Sequence, residues 1–128
     1  MKIRIYYEDT DAGGIVYHAN YLKYCERARS EFFFSANLTP VIDGAHFVVR
    51  KMDCDFISSA LFADIVEVTT QIEEMKNASF ILLQEVKRDE KVLFKTRVTL
   101  VLAKNGKPLR IDEKIKEMLQ SLFAKIDS

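Results

Sequence analysis

Residues 17–36, YHANYLKYCERARSEFFFSA, decide how the rest of the chain must be arranged. Tyr21, Cys25, Ala28 and Phe32 recur in 4-3-4 spacing, with Leu22, Phe33 and Ala36 flanking them on the same side. That period predicts a long helix with one wide apolar face. Asn37 suits the left-handed turn that ends a helix, and Pro40 blocks its resumption, so the C-terminal limit falls there. Such a face needs a broad apolar partner, and the flanking sequence offers strands.

Upstream, residues 2–7, KIRIYY, put Ile3, Ile5 and Tyr7 on one side and Lys2, Arg4 and Tyr6 on the other, the period of a strand. Downstream, residues 46–57 are rich in Val, Phe and Ile and read as a second strand. Residues 64–74 oppose Val66, Val68, Thr70 and Ile72 to Glu67, Thr69, Gln71 and Glu73. The Lys76-Asn77-Ala78 turn leads to SFILLQEV, and Arg88-Asp89-Glu90-Lys91 leads to VLFKTRVTLVLA. In that last run Val92, Phe94, Val98, Leu100 and Leu102 oppose Lys95, Arg97 and Thr99, and Asn105-Gly106 follows as a turn signal. Beyond Pro108, Asp112 is placed to cap a final helix with the stripe Ile115, Met118, Leu119, Leu122, Phe123 and Ile126. The expected fold is α+β: a curved antiparallel five-stranded sheet wrapped around one long helix, plus a short C-terminal helix, in a single domain over residues 1–128. Its open sheet edges favour pairing with a second copy.

Nineteen basic residues cancel nineteen acidic ones, so no global field draws the protein to nucleic acid or an anionic membrane. No apolar leader or membrane-length stretch is present, which makes the cytoplasm the expected compartment. Cys25 and Cys54 lack the spacing of a disulfide framework or zinc site and are expected as buried thiols. Cys25 shares the helix's apolar face, which favours burial over a nucleophile's role. His46 reads as a surface residue, Lys87, Arg88 and Lys91 as a soluble hairpin, and Glu26, Arg27 and Arg29 as a solvated helix face or a subunit contact.

The chemistry concentrates in YEDTDAGGIVYHANY, residues 7–21, which crowd Glu8, Asp9, Asp11, Gly13, Gly14 and His18 together. Gly13 and Gly14 let the backbone approach a ligand just ahead of the helix, whose first turn offers unpaired N–H groups and a partial positive charge. A carbonyl docked there is polarised. Asp11 lies on its other flank, placed to activate water as a general base or to attack directly. A thioester fits this minimal equipment, because a thiol of pKa ~8.5 leaves without a general acid. His18 adds a group that can orient water or share a proton. Asp9 and Thr10 read as loop caps, and from spacing alone Asp11 reads as one too. Ligand spacing gives no support for a metal.

The order Tyr7-Glu8-Asp9-Thr10-Asp11-Ala12-Gly13-Gly14-Ile15-Val16-Tyr17-His18, then Tyr21 and Glu26-Arg27-Ala28-Arg29, resembles the signature of the YbgC-like, 4-hydroxybenzoyl-CoA thioesterase group of hotdog-fold acyl-CoA thioesterases. The similarity continues through Phe47-Val48-Val49-Arg50-Lys51-Met52. It is this resemblance that favours catalysis over capping for Asp11. It implies acyl-CoA hydrolysis by a homodimer or a dimer-of-dimers homotetramer with sites between subunits. It further implies Asp11 as the catalytic carboxylate, the His18 backbone N–H as the polarising donor, and Tyr7 and the His18 side chain in support, with no metal or dissociable cofactor. Relatives in this group are associated with the Tol-Pal envelope system, so an acyl carrier protein, envelope partners and a peripheral place at the inner membrane are further expectations.

Coenzyme A carries several phosphates, for which Arg50, Lys51, Lys76 and Asn77 are the expected contacts. Phe47, Phe56 and Ile57 are placed to line an acyl pocket beside Phe32 and Phe33, although most of these aromatics read as plain core. The competing reading is a non-catalytic acyl-ligand or acyl-carrier binding module, with a hotdog dehydratase third.

Overall fold

The computed structural model describes residues 1–124. Ile126, expected on the last helical stripe, lies outside them. In chain order the elements are β1 (Lys2–Arg4), a 3-10 turn (Tyr7–Asp9), α1 (Asn20–Ser35), β2 (Val41–Ile42), β3 (Ala45–Phe56), β4 (Ile65–Met75), β5 (Phe80–Arg88), β6 (Lys91–Lys104), β7 (Lys107–Leu109) and α2 (Glu113–Phe123). The strands form one antiparallel sheet in the order β1-β4-β5-β6-β3-β2, with β7 paired to β6. The sheet curls around α1, as expected.

Among the described residues it has seven strands rather than five, because two tight hairpins add β2 and β7. Asp43-Gly44 (φ 50° and 81°) and Asn105-Gly106 (φ 52° and 75°) put two successive residues in the left-handed region, the geometry that reverses a strand in two residues. At the other end, β1 stops at Arg4, and the chain winds into the 3-10 turn before the strand period reaches Tyr7. Ile5 is therefore fully buried, while Tyr7, expected on the same side, is 76% exposed. A register shift at Val86/Lys87 turns Leu93 inward beside Phe94, in place of the expected Val92.

The α1 stripe is buried as read: Tyr21, Cys25, Ala28, Phe32 and Phe33, together with Tyr24. Asn37 sits at φ 58° and ends the helix, and the Asp112 carboxylate accepts the Ile115 N–H at 2.9 Å to start α2. Phe123 of α2 packs on Phe32 and Phe33, with ring centroids 5.0 and 5.9 Å apart.

The core beneath α1 has two apolar halves. Between them runs a polar rung, Thr70–Gln84–Thr96–Cys54, aligned by the register of β4, β5, β6 and β3. Gln84 has no exposed surface. Its amide nitrogen donates to the Cys25 carbonyl and the Thr70 hydroxyl, each at 3.0 Å, and its oxygen accepts from Arg29 at 2.9 Å. Such a group is tolerated in a core only when its bonds are made. Arg29 is thus tied inward rather than solvated.

Cys54 ends the rung and, contrary to expectation, is exposed. The reason is topological. β6 covers one side of β3 along its length, while on the other side β2 reaches only Ala45 and His46. Arg88, expected to keep its hairpin soluble, pairs with Asp64 at 2.7 Å. Burial works against the Asp64 carboxylate, but the Leu61 N–H and the Arg88 guanidinium outweigh it and hold its pKa below the usual value.

Candidate active site

α1 begins at Asn20, three residues later than its apolar spacing suggested, so Tyr17 and His18 precede the first helical turn. The N-cap is Ala19, no side chain among the described residues caps the terminus, and the first turn holds no acid. Asn20 N–H bonds the Tyr17 carbonyl at 2.9 Å, but the N–H groups of His18 and Ala19 meet no acceptor among the described residues. A helix start left in this state attracts a carbonyl or anionic oxygen.

Ahead of it, residues 10–16 fold back on themselves. Thr10 bridges Val16, the Asp11 N–H donates to the Ile15 carbonyl at 2.9 Å, and the Gly14 N–H returns to the Asp11 carbonyl at 3.0 Å. Gly14, at φ 78°, supplies the left-handed residue this turn needs. The Gly13 N–H donates to Oδ1 of Asp11 at 2.8 Å and fixes the carboxylate against its own loop, while Oδ2 has no partner among the described residues. The Val16 N–H then docks the loop onto the Ala60 carbonyl at 3.0 Å.

Asp11 and His18 share a cleft of about 240 Å³ with Ile15, Val16, Tyr21, Phe56, Ile57, Ser58 and Ser59. The His18 ring stands edge-on to Phe56 with centroids 6.0 Å apart and leans on Tyr17 at 4.6 Å. Tyr21 accepts the Ala60 N–H at 2.9 Å, and burial raises its pKa, so the cleft floor is a neutral phenol.

Of the residues singled out in the sequence, Asp11, His18, Phe56 and Ile57 come together here. Tyr7 does not line the cleft and stacks on Phe62 with ring centroids 5.4 Å apart. Phe33 and Phe47 line a different apolar cavity of about 230 Å³ with Phe80, Phe123 and Arg29. Arg50 lies exposed at the β3 register shift, and Lys51 pairs with Asp53 at 3.7 Å. Lys76 pairs with Glu74 at 3.5 Å, and Asn77 is engaged by the Ile111 N–H and the Lys116 ammonium. The Lys76-Asn77 turn joins β4 to β5, at the end of the sheet opposite Phe56. Asp9 and Thr10 cap the loop: Asp9 Oδ2 accepts the Tyr6 N–H at 2.8 Å, and the Thr10 hydroxyl donates to the Tyr7 carbonyl at 2.7 Å. Cys25 has no exposed surface, and burial pushes its thiol up to about 12, which rules it out as a nucleophile. Ile15, Val16, Tyr21, Ser58 and Ser59 were not anticipated as lining, and the abrupt change from apolar Phe56-Ile57 to paired serines is the one signal that marked this strand end.

Among the described residues no group of three His, Cys, Asp or Glu side chains could hold a metal, and no helix is long and apolar enough to cross a membrane. A curled antiparallel sheet closed over one long helix defines the hotdog architecture. Residues 13–95 match the thioesterase superfamily, and the chain belongs to that family, in its YbgC-like group. The Helicobacter pylori protein named acyl-CoA thioesterase YbgC is 51% identical over 86 residues, which are 67% of this chain and 65% of that protein. The chain thus spans just under two thirds of that relative's length. The Haemophilus influenzae protein of the same name is 35% identical, with 95% of this chain and 94% of that protein aligned. The solved structure of a probable thioesterase from Bartonella henselae is 32% identical with a TM-score of 0.82, covering 88% of this chain and 97% of that one.

Proposed function

We propose that the protein hydrolyses the thioester of acyl-coenzyme A to a free acid and CoA. The observation that carries this reading is the shared cleft of mixed polar and apolar lining, which brings the Asp11 carboxylate together with His18, just ahead of the uncapped helix start. The thioester carbonyl oxygen takes the N–H groups at His18 and Ala19, where one donor to a developing oxyanion is worth about 3–4 kcal/mol of barrier lowering. Oδ1 of Asp11 is occupied by Gly13, so Oδ2 is the reacting oxygen. It either takes a proton from an attacking water or adds to the carbon to form an anhydride that water then opens. In both routes the carbon–sulfur bond breaks and the CoA thiolate leaves. The His18 imidazole, at the cleft rim beside Phe56, orients the water or the sulfur, and Tyr7 acts from outside the cleft. Phe56 and Ile57 receive the first carbons of the acyl group.

The reading extends to a second copy. Beyond His46 the outer edge of β3 is unpaired among the described residues, and Val48, Val49 and Phe56 along it are each at least 40% exposed. An antiparallel partner strand satisfies that edge. Antiparallel pairing also lays the Phe56 end of one copy toward the opposite end of its partner, where the Lys76-Asn77 turn lies. This gives the CoA phosphates cations that the cleft of one copy lacks, with Arg50 and Lys51 on the shared edge. The minimal unit is therefore a homodimer, and a dimer of dimers adds no further requirement. The same cleft admits an acyl group borne by a carrier protein, and envelope-associated partners fit as consumers of the freed acid.

Asp11→Asn tests the reading against a panel of acyl-CoA chain lengths with a thiol-detecting reagent. Hydrolysis is expected to fall at least a thousandfold with the melting temperature and assembly state held. Saturable binding with no thiol release from the wild-type protein across the panel would favour a binding module instead.

A further inference from the structure

The Asp11 loop and the start of α1 carry the two halves of the proposed chemistry, and one backbone oxygen bonds to both sides, beside the Thr10–Val16 bridge and the docking of Val16 on Ala60. The Asp9 carbonyl accepts the Tyr17 N–H at 3.0 Å and the Asn20 side-chain amide at 2.9 Å. Among the described residues, that amide is the only side chain of the first helical turn bonded to the segment containing Asp11. The acceptor is itself held still, because the Asp9 carboxylate takes the Tyr6 N–H. Beneath it lies the buried Tyr24 hydroxyl, close to the same Asp9 carboxylate. Burial first, and the nearby Asp9 carboxylate second, raise that phenol's pKa and keep it neutral.

The residue type is informative. An acid in the first turn would suit the helix dipole, and Asn is a middling helix former. An acid there would also set a negative charge beside the donors meant for an oxyanion, and it could not donate to the Asp9 carbonyl. Asn20 is the neutral side chain of the right length that can. A local preference set aside at one position marks a functional demand.

We infer that Asn20 is a positioning residue, whose amide clamps the Asp9 carbonyl and so fixes the Asp11 carboxylate relative to the free N–H groups of the helix start. The inference rests on the reading of Asp11 and the helix start given above. The geometry it protects is demanding, since displacing a reacting group by about 1 Å can lower a rate on the order of a hundredfold.

The test uses Asn20→Asp, which keeps the shape, suits the helix dipole and removes the donor, and Asn20→Leu, which removes the donor without adding charge. Both are expected to keep KM within about twofold and lower kcat about tenfold, the effect of a shift of roughly half an ångström. Asn20→Asp is expected to hold or raise the melting temperature, which a purely structural role would lower. Amide hydrogen exchange supplies a readout that needs no turnover: the Asp11, Gly14 and Tyr17 N–H groups should exchange several-fold faster in both variants. Wild-type exchange in both overturns the clamp, as does a kcat lost in the aspartate variant alone, which would assign the effect to charge. A wild-type protein that releases no thiol, with faster exchange in both variants, would sink the hydrolase reading and leave the clamp standing.

Discussion

Two adjacent glycines separate geometry at Asp11 from strain in its loop. Gly13 has no positive φ, so alanine fits its backbone, but the added Cβ would lie 3.2 Å from Oδ1 of Asp11. The carboxylate must retreat by a few tenths of an ångström, lengthening the 2.8 Å bond it accepts from the Gly13 N–H. If a displacement of about 1 Å is worth on the order of a hundredfold in rate, a few tenths is worth roughly three- to fivefold in kcat. The stability change is near zero: weakening one exposed hydrogen bond costs at most about 1 kcal/mol, and a less flexible unfolded chain returns about 0.4–1 kcal/mol. Gly14 is the converse, with φ 78° and nothing within 4 Å of an added Cβ. Gly14→Ala should cost about 1–2 kcal/mol through the left-handed backbone alone and lower the melting temperature by roughly 3–10 °C. Thermal scanning and saturating thiol-release assays on the best chain-length substrate measure both. A Gly13→Ala protein with undiminished kcat would refute the idea that the Asp11 carboxylate works from the position its own loop assigns.

Two other expectations concern stability. Gln84→Leu keeps the volume but leaves the Thr70 hydroxyl and the Arg29 guanidinium without their partner, and should cost about 2–4 kcal/mol in urea titrations at fixed protein concentration; adding Arg29→Met should recover part of it, and a single-variant loss under about 1 kcal/mol would contradict the polar rung as described. Because the folded Asp64 carboxylate has a depressed pKa, it adds stability above its unfolded value of about 3.9 and loses that share as pH falls through the lower folded value. The gap in unfolding free energy between wild type and Asp64→Asn should therefore be wide at pH ~7 and narrow as pH falls below about 3.9, and a gap that widens on acidification would reverse the sign.

Local pattern sufficed where one element meets one environment. The α1 stripe and the β4 alternation of Val66, Val68, Thr70 and Ile72 are read by packing on a single face, and they came out as written. It failed where a neighbour decides. Leu93 turns inward because β5 and β6 slip by a residue, and no feature of VLFKTRV announces a bulge. Cys54 is exposed because topology leaves β3 at an edge, although its own stretch looks like any apolar strand. Gln84 shares its parity with Phe80, Leu82 and Val86, but only the register with Thr70 and Thr96 reveals a polar rung in place of a misfit. Asp43-Gly44 carried the same hairpin signal as Asn105-Gly106 but went unread, and neither turn was followed into the short strand it adds, so β2 and β7 were missed.

The misplaced start of α1 has a different cause, and it bears on function. A helix start is normally marked by a side chain that satisfies its first N–H groups, and here Ala19 stands where Ser, Thr, Asp or Asn would. With no such mark, apolar spacing ran on through Tyr17 and His18. A conventional cap would have made the boundary plain and occupied the donors that the proposed reaction assigns to the substrate carbonyl. The Asn20 amide and the Asp11 carboxylate, both able to cap, instead bond the Asp9 carbonyl and the Gly13 N–H, within and just ahead of the loop. The segment keeps its polar groups satisfied while leaving the helix start open, which is why the part of the chain hardest to delimit from pattern is the part the proposed reaction uses.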